Sequence, residues 1–160
     1  MPTQKTVSSV LFVCTGNICR SPTAHALLQH KAAERGLQVI VDSAAISSEE
    51  LGRPPDRRAL VELKRRGVAM PPHHARLVTL DDFQRFDLLL GMTSDHLHAL
   101  HRLAPTPAPA IDLLMRYADG HVATDIPDPW FGDTQDFMDA FDMIEAGVAG
   151  LLRHLSTSKP

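Results

Sequence analysis

The sequence predicts an α/β fold of three layers: a four-stranded parallel sheet with helices on both faces. Three observations carry this. Short β-prone runs alternate along the chain with helical patterns. The runs are nearly continuous in apolar residues, which suits strands covered on both sides. The chain has 160 residues, 44% of them hydrophobic, enough for one core. No repeat or change of composition divides it, so 1–160 reads as a single domain, with about 1–8 and 156–160 loose.

Ser9-Val10-Leu11-Phe12-Val13 is the first strand. Thr15-Gly16-Asn17 breaks it. Ser21 as cap and Pro22 at the first helical position start a helix, whose stripe is Ala24, Leu27, Leu28 and Ala32 and whose stop is Gly36. Val39-Ile40-Val41 is the second strand, followed by a loop over 43–55. Asp56 to Arg66 is a helix ended by Gly67; its cluster Lys64-Arg65-Arg66 complements the helix dipole. A short helix at 82–85 leads to a third strand around Leu88-Leu89-Leu90. Thr93 or Ser94 caps a helix through Leu100. Pro105, Pro107 and Pro109 stiffen a surface connector, and 110–114 is a weaker fourth strand. Residues 117–132 read as irregular. The last helix, capped by Asp133 or Thr134, shows the clearest period: Phe137, Phe141, Ile144, Val148, Leu151 and Leu155.

Sixteen Lys+Arg against nineteen Asp+Glu give a net charge of −3, which argues against a nucleic-acid or membrane-surface partner. The apolar runs are too short for a signal core or a membrane span, so the expectation is a soluble, cytoplasmic protein. Cys14 and Cys19 are too few for a disulfide scaffold and point to local chemistry in a reducing compartment. Without His or Cys partners nearby they make a poor zinc site. His96, His98 and His101 lack metal-site spacing and read as a solvated helix face.

The segment Cys14-Thr15-Gly16-Asn17-Ile18-Cys19-Arg20-Ser21-Pro22 lies where open α/β folds bind ligands, beyond the carboxyl end of a strand. A glycine-containing loop entering a helix turns backbone N–H groups inward and, with the helix dipole, makes an anion site. Cys14 sits at its base, where positive field favours the thiolate. The planar fork of Arg20 matches two phosphoryl oxygens. Ser21 is placed to bond the sulfur. This set suits phosphoryl transfer through a phosphocysteine, with no metal or other cofactor needed for charge neutralisation. A buried, inert cysteine is the bland alternative.

At these residues the chain resembles the low-molecular-weight protein tyrosine phosphatase family. The likeness continues through Asp42-Ser43-Ala44, Pro55-Asp56-Arg57-Arg58-Ala59, His73 with Ala75-Arg76, Asp82-Phe83, Phe86-Asp87, Met92 and Asp128-Pro129-Trp130. It implies phosphotyrosine hydrolysis, with Cys14 as nucleophile, Arg20 as transition-state clamp and Asp128 as general acid. It implies a phosphotyrosine-containing protein as partner, a tyrosine kinase among the candidates, and inorganic phosphate as product. Chemistry supports the acid independently: an aryl oxyanion leaves poorly unless protonated. An Asp between prolines is otherwise a turn residue, and Asp125 and Asp133 are nearby competitors. Thr15, Gly16, Asn17, Ile18, Cys19 and Ser21 form the implied phosphate cradle. Ser43 and His73, or the adjacent His74, support it, and Asn17 suits a left-handed backbone. Cys19 matches a family cysteine able to trap an oxidised Cys14 or simply stand beside it.

Three departures bear on substrate preference. Glu49 or Glu50 stands where many members have a bulky apolar residue. Trp130 and Phe131 replace a tyrosine pair. Thr93 stands where an Asp often follows the Met. The rival readings are an arsenate reductase-like enzyme, disfavoured because no Cys follows Cys19, and an inactive phosphate-binding module.

Overall fold

A computed structural model describes residues 7–120 and 124–157. Its strands are β1 (Ser9–Cys14), β2 (Ile40–Ala45), β3 (Leu88–Gly91) and β4 (Ala110–Leu113), and its helices α1 (Arg20–Glu34), α2 (Arg57–Arg65), α3 (Asp82–Arg85), α4 (Ser94–Leu103) and α5 (Thr134–Thr157). The sheet order is β2-β1-β3-β4 and every pairing is parallel. All six β1 residues are buried, as the apolar run demands. Strand alternation divides them: Val10 and Phe12 join a core with α1, α2 and α5, while Leu11 and Val13 join one with α3 and α4. Helices therefore cover both faces.

Two of the boundaries that differ from the sequence reading shape the site. β2 runs on through Asp42, Ser43, Ala44 and Ala45, paired residue for residue with β1. The hydrophobic pattern misses this half because Ser43, although fully buried, spends its polarity on side-chain hydrogen bonds. α1 begins at Arg20, with Cys19 rather than Ser21 at the cap. Ser21 cannot serve as cap because its hydroxyl faces Cys14 and Asn17. Pro22 stays within the first turn, where a missing N–H costs little.

Other expectations hold. Asp56 caps α2 through the Arg58 N–H, and Thr93 caps α4 through the His96 N–H. Arg65 and Arg66 do more than complement a dipole: both bind Glu62, and Arg66 also reaches Asp142 and Glu145, tying α2 to α5. Residues 114–117 form a 3₁₀ turn. The expected looseness of 1–8 and 156–160 lies mostly outside the described residues; Ser8, which is described, is anchored by its N–H and hydroxyl to Asp87.

Candidate active site

β1 ends at Cys14 and delivers it, 3% exposed, to the floor of a pocket. The loop then turns sharply at Asn17, whose φ of 59° is the left-handed conformation expected of it. The turn brings the Asn17 N–H to 3.3 Å from Cys14 Sγ. α1 leaves the loop with no side-chain cap, so its first N–H groups remain free of a competing acceptor. Arg20, in the first turn of α1, is buried, and its Nη1 donates to the Ile126 carbonyl at 2.9 Å.

Asn17 organises the floor. Its Nδ2 donates to Ser21 Oγ (2.9 Å) and Ser43 Oγ (3.0 Å), while its Oδ1 accepts from His73 Nε2 (3.0 Å) and the Arg76 N–H (3.1 Å). Because Ser21 Oγ already accepts from Asn17, its own hydrogen is left for Cys14 Sγ, 3.0 Å away. His73 rather than His74 takes the supporting role; His74 is exposed. Cys19 is buried and free like Cys14. Burial, with the negative neighbours Cys14, Asp56 and Asp128, pushes its thiol far up, so it stays protonated.

Arg20, Asp128, Ile18, Trp130 and Phe131 line the same pocket as Cys14, as do Thr15, Gly16 and Cys19. Asp128 Oδ2 is 3.6 Å from Arg20 Nη2, with its side chain half exposed. Asp128 Oδ1 accepts the Trp130 N–H at 3.0 Å, which fixes the turn between the prolines. The competitors have other work: Asp125 receives the Ser94 N–H at the start of α4, and Asp133 receives the Asp136 N–H at the start of α5. Arg58 holds the aromatic rim, donating to the Trp130 carbonyl at 3.1 Å with its guanidinium 5.4 Å from that ring. Both Glu49 and Glu50 line the pocket; Glu50 is paired with Arg53 at 3.0 Å, and Glu49 is exposed.

Comparison with known proteins bears directly on this arrangement. A family model described as low molecular weight phosphotyrosine protein phosphatase matches residues 9–160. A low molecular weight protein-tyrosine-phosphatase of Streptomyces coelicolor is 40% identical over 149 residues, 89% of this chain and 90% of the relative. The chain belongs to the low molecular weight phosphotyrosine protein phosphatase family. The crystal structure of YfkJ from Bacillus subtilis superposes with a TM-score of 0.89 at 32% identity, covering 98% of this chain and 99% of that one. A Drosophila arginine phosphatase superposes with a TM-score of 0.85 at 36% identity, over 91% and 96%.

Two residues of this family member escaped the sequence reading. His96 is not on a solvated face: it is 4% exposed, its Nδ1 accepts from the Met92 and Thr93 N–H groups, and Nε2 therefore donates to Thr15 Oγ1 at 2.9 Å. Burial, aided by the Arg20 charge, lowers its pKa to about 4. His25, on α1, is also buried, with Nδ1 3.3 Å from Ser43 Oγ. The i, i+3 spacing of Thr93 and His96, a reciprocal cap, was the available signal for the first. Nothing local marks the second.

Proposed function

We propose that this chain hydrolyses phosphotyrosine in proteins, and small aryl phosphates, through a phosphocysteine on Cys14. Cys14 Sγ attacks phosphorus; the S–P bond forms as the bond to the aryl oxygen breaks. Asp128, as carboxylic acid, protonates the departing oxygen. The N–H groups of the loop and the Arg20 guanidinium meet the charge on the equatorial oxygens. Water then attacks, Asp128 takes up its proton, and inorganic phosphate leaves as the Ser21 hydroxyl steadies the returning thiolate. Thr15 to Cys19 cradle the phosphate, while Trp130 and Phe131 stack on the ring. Ser43 and His73 act through Asn17. No step uses a cofactor. We read 1–160 as one domain working in the cytoplasm, where its two free cysteines stay reduced, on phosphotyrosine proteins, a tyrosine kinase among them.

The observation that carries this is the conjunction in one pocket of Cys14 under an uncapped helix start with Arg20 and Asp128 3.6 Å apart. Phosphate release from a phosphotyrosine peptide tests it. Cys14→Ser should lower turnover by at least ~10⁴-fold while phosphate still binds; a wild-type rate would remove Cys14 from its role. Phosphoarginine is the informative competitor, since the acidic side chains of Glu49 and Glu50 line the pocket. The apolar walls of Ile18 and Trp130 favour the aryl substrate, so the expected rate on phosphoarginine is lower.

A further inference from the structure

Behind the phosphate loop, three side chains of metal-binding type converge: His25 on α1, Asp42 on β2, and His73 between α2 and α3. One ligating atom of each lies within 4.8 Å of the other two. His25 Nδ1 is 4.0 Å from Asp42 Oδ1, and the two imidazoles meet edge to face with centroids 5.8 Å apart.

Hydrogen bonding prepares these groups as ligands. Asn17 Nδ2 is committed to two hydroxyls, so its Oδ1 can only accept, and His73 must donate from Nε2. That leaves the lone pair of His73 on Nδ1. His25 Nδ1 lies 3.3 Å from Ser43 Oγ, which already accepts from Asn17, so with its hydrogen on Nε2 His25 turns the Nδ1 lone pair to the Ser43 hydroxyl, a contact that a metal at Nδ1 would replace. Asp42 is aimed by the Ser43 N–H on Oδ1 (2.7 Å) and by Arg76 on Oδ2 (3.1 Å); Arg76 is itself held by Asp82 at 2.9 and 3.0 Å. Such outer contacts orient ligands and fix tautomers at metal sites.

We propose that His25, Asp42 and His73 form a regulatory site for a borderline divalent transition metal such as Zn²⁺, completed by water, whose occupation slows the phosphatase. Two imidazoles and a carboxylate suit zinc, whereas Mg²⁺ and Ca²⁺ want more oxygen ligands. Zinc draws its ligands to about 2.0–2.1 Å, so the cluster contracts by roughly an ångström. The contraction pulls on His73, and the metal at His25 Nδ1 displaces the Ser43 hydroxyl from that atom. His73 and Ser43 both bond Asn17, which shapes the loop around Cys14. The slowing rests on the phosphatase reading; the binding does not.

The test separates the two. A Cys14→Ser, Cys19→Ser protein, which lacks competing thiols, is titrated with Zn²⁺ against a chromogenic chelator and with Co²⁺ by visible absorption. One equivalent should bind, with Co²⁺ d–d bands and no thiolate charge-transfer band. His25→Gln and Asp42→Asn should each weaken binding tenfold or more. On the alkylated wild-type chain, imidazole NMR signals of His25 and His73 should shift with Zn²⁺. No binding, or binding that neither substitution weakens and that leaves those signals in place, overturns the site. In the active enzyme, zinc should lower kcat, and His25→Gln should raise the concentration required by the same factor as it weakens binding. Binding with kcat unchanged overturns the coupling to the loop.

Discussion

Asn17, beneath the floor of the pocket, has no exposed surface and bonds Ser21, Ser43, His73 and Arg76, whereas Phe131, at the rim, is 97% exposed. Between these extremes lie Arg20, buried and fastened to the Ile126 carbonyl, and Asp128, half exposed and steadied by one N–H of its own turn. The floor is a network in which almost any substitution leaves a buried donor or acceptor without its partner. The rim is wet, and its charges are screened. On the proposed reading, phosphate recognition is then rigid and common to any ester that enters, while the choice of ester rests with residues that can change at small energetic cost.

This contrast can be broken at its strongest point by Asn17→Ala. The substitution removes the four bonds made by the Asn17 side chain and asks alanine to hold a left-handed φ, itself worth about 1–2 kcal/mol. We expect kcat to fall on the order of 10²–10³-fold on every substrate alike, with a lower unfolding midpoint. A loss confined to one substrate class would show that the floor also selects.

Asp128→Ala sharpens the contrast from the other side. We expect about a 10²-fold loss on phenyl phosphate, whose leaving group needs a proton, and less than about tenfold on p-nitrophenyl phosphate. Equal losses would remove Asp128 from the acid role.

The floor also predicts the response to acid. An unfolded chain protonates His25 and His96 as pH falls below about 6.5. The folded chain keeps both neutral down to about 4. Between those values the unfolded state binds more protons, so this stability is complete above 6.5 and lost as pH falls toward 4. Each imidazole contributes about 2 kcal/mol of loss by pH 5. Urea midpoints at pH 7 and pH 5 measure the sum; His96→Gln should flatten the slope by one share, and an unchanged slope would contradict burial of the neutral ring. Asp82 adds a later loss: burial would raise its carboxyl, but Arg76 and the donors of Thr79 hold it below the usual range, so its stability disappears only in stronger acid.

The smallest effect belongs to the rim. Glu49→Gln should lower KM for phosphotyrosine peptides about two- to threefold at low salt, with kcat unchanged, and the gain should vanish in high salt. A change in kcat instead would place Glu49 in the chemistry.

What was legible in the sequence follows from range. Cys14 to Pro22 is one continuous stretch, and its strand end and turn are local events, so the loop could be read directly. The α5 stripe and the buried runs of β1 and β3 were likewise local patterns. The half of β2 carrying Ser43 was obscured because Ser43 bonds Asn17 and His25 far along the chain, and the true start of α1 because Ser21 turns its hydroxyl back to Cys14 and Asn17 instead of capping the helix.

Long-range pairing remained for the fold to decide. Thr15 meets His96 across 81 positions, Asn17 meets His73 across 56, and Arg20 meets Ile126 across 106. The sequence by itself determined the chemical inventory: a thiol at a strand end, an arginine in the loop that leads to a helix, a carboxylate between prolines, in an alternating α/β order. Only tertiary structure decided which of nine histidines are buried and neutral, and that two of them face Asp42. A histidine's protonation and partners depend on the solvent and charges around it, and those come from segments that meet only when the sheet is assembled.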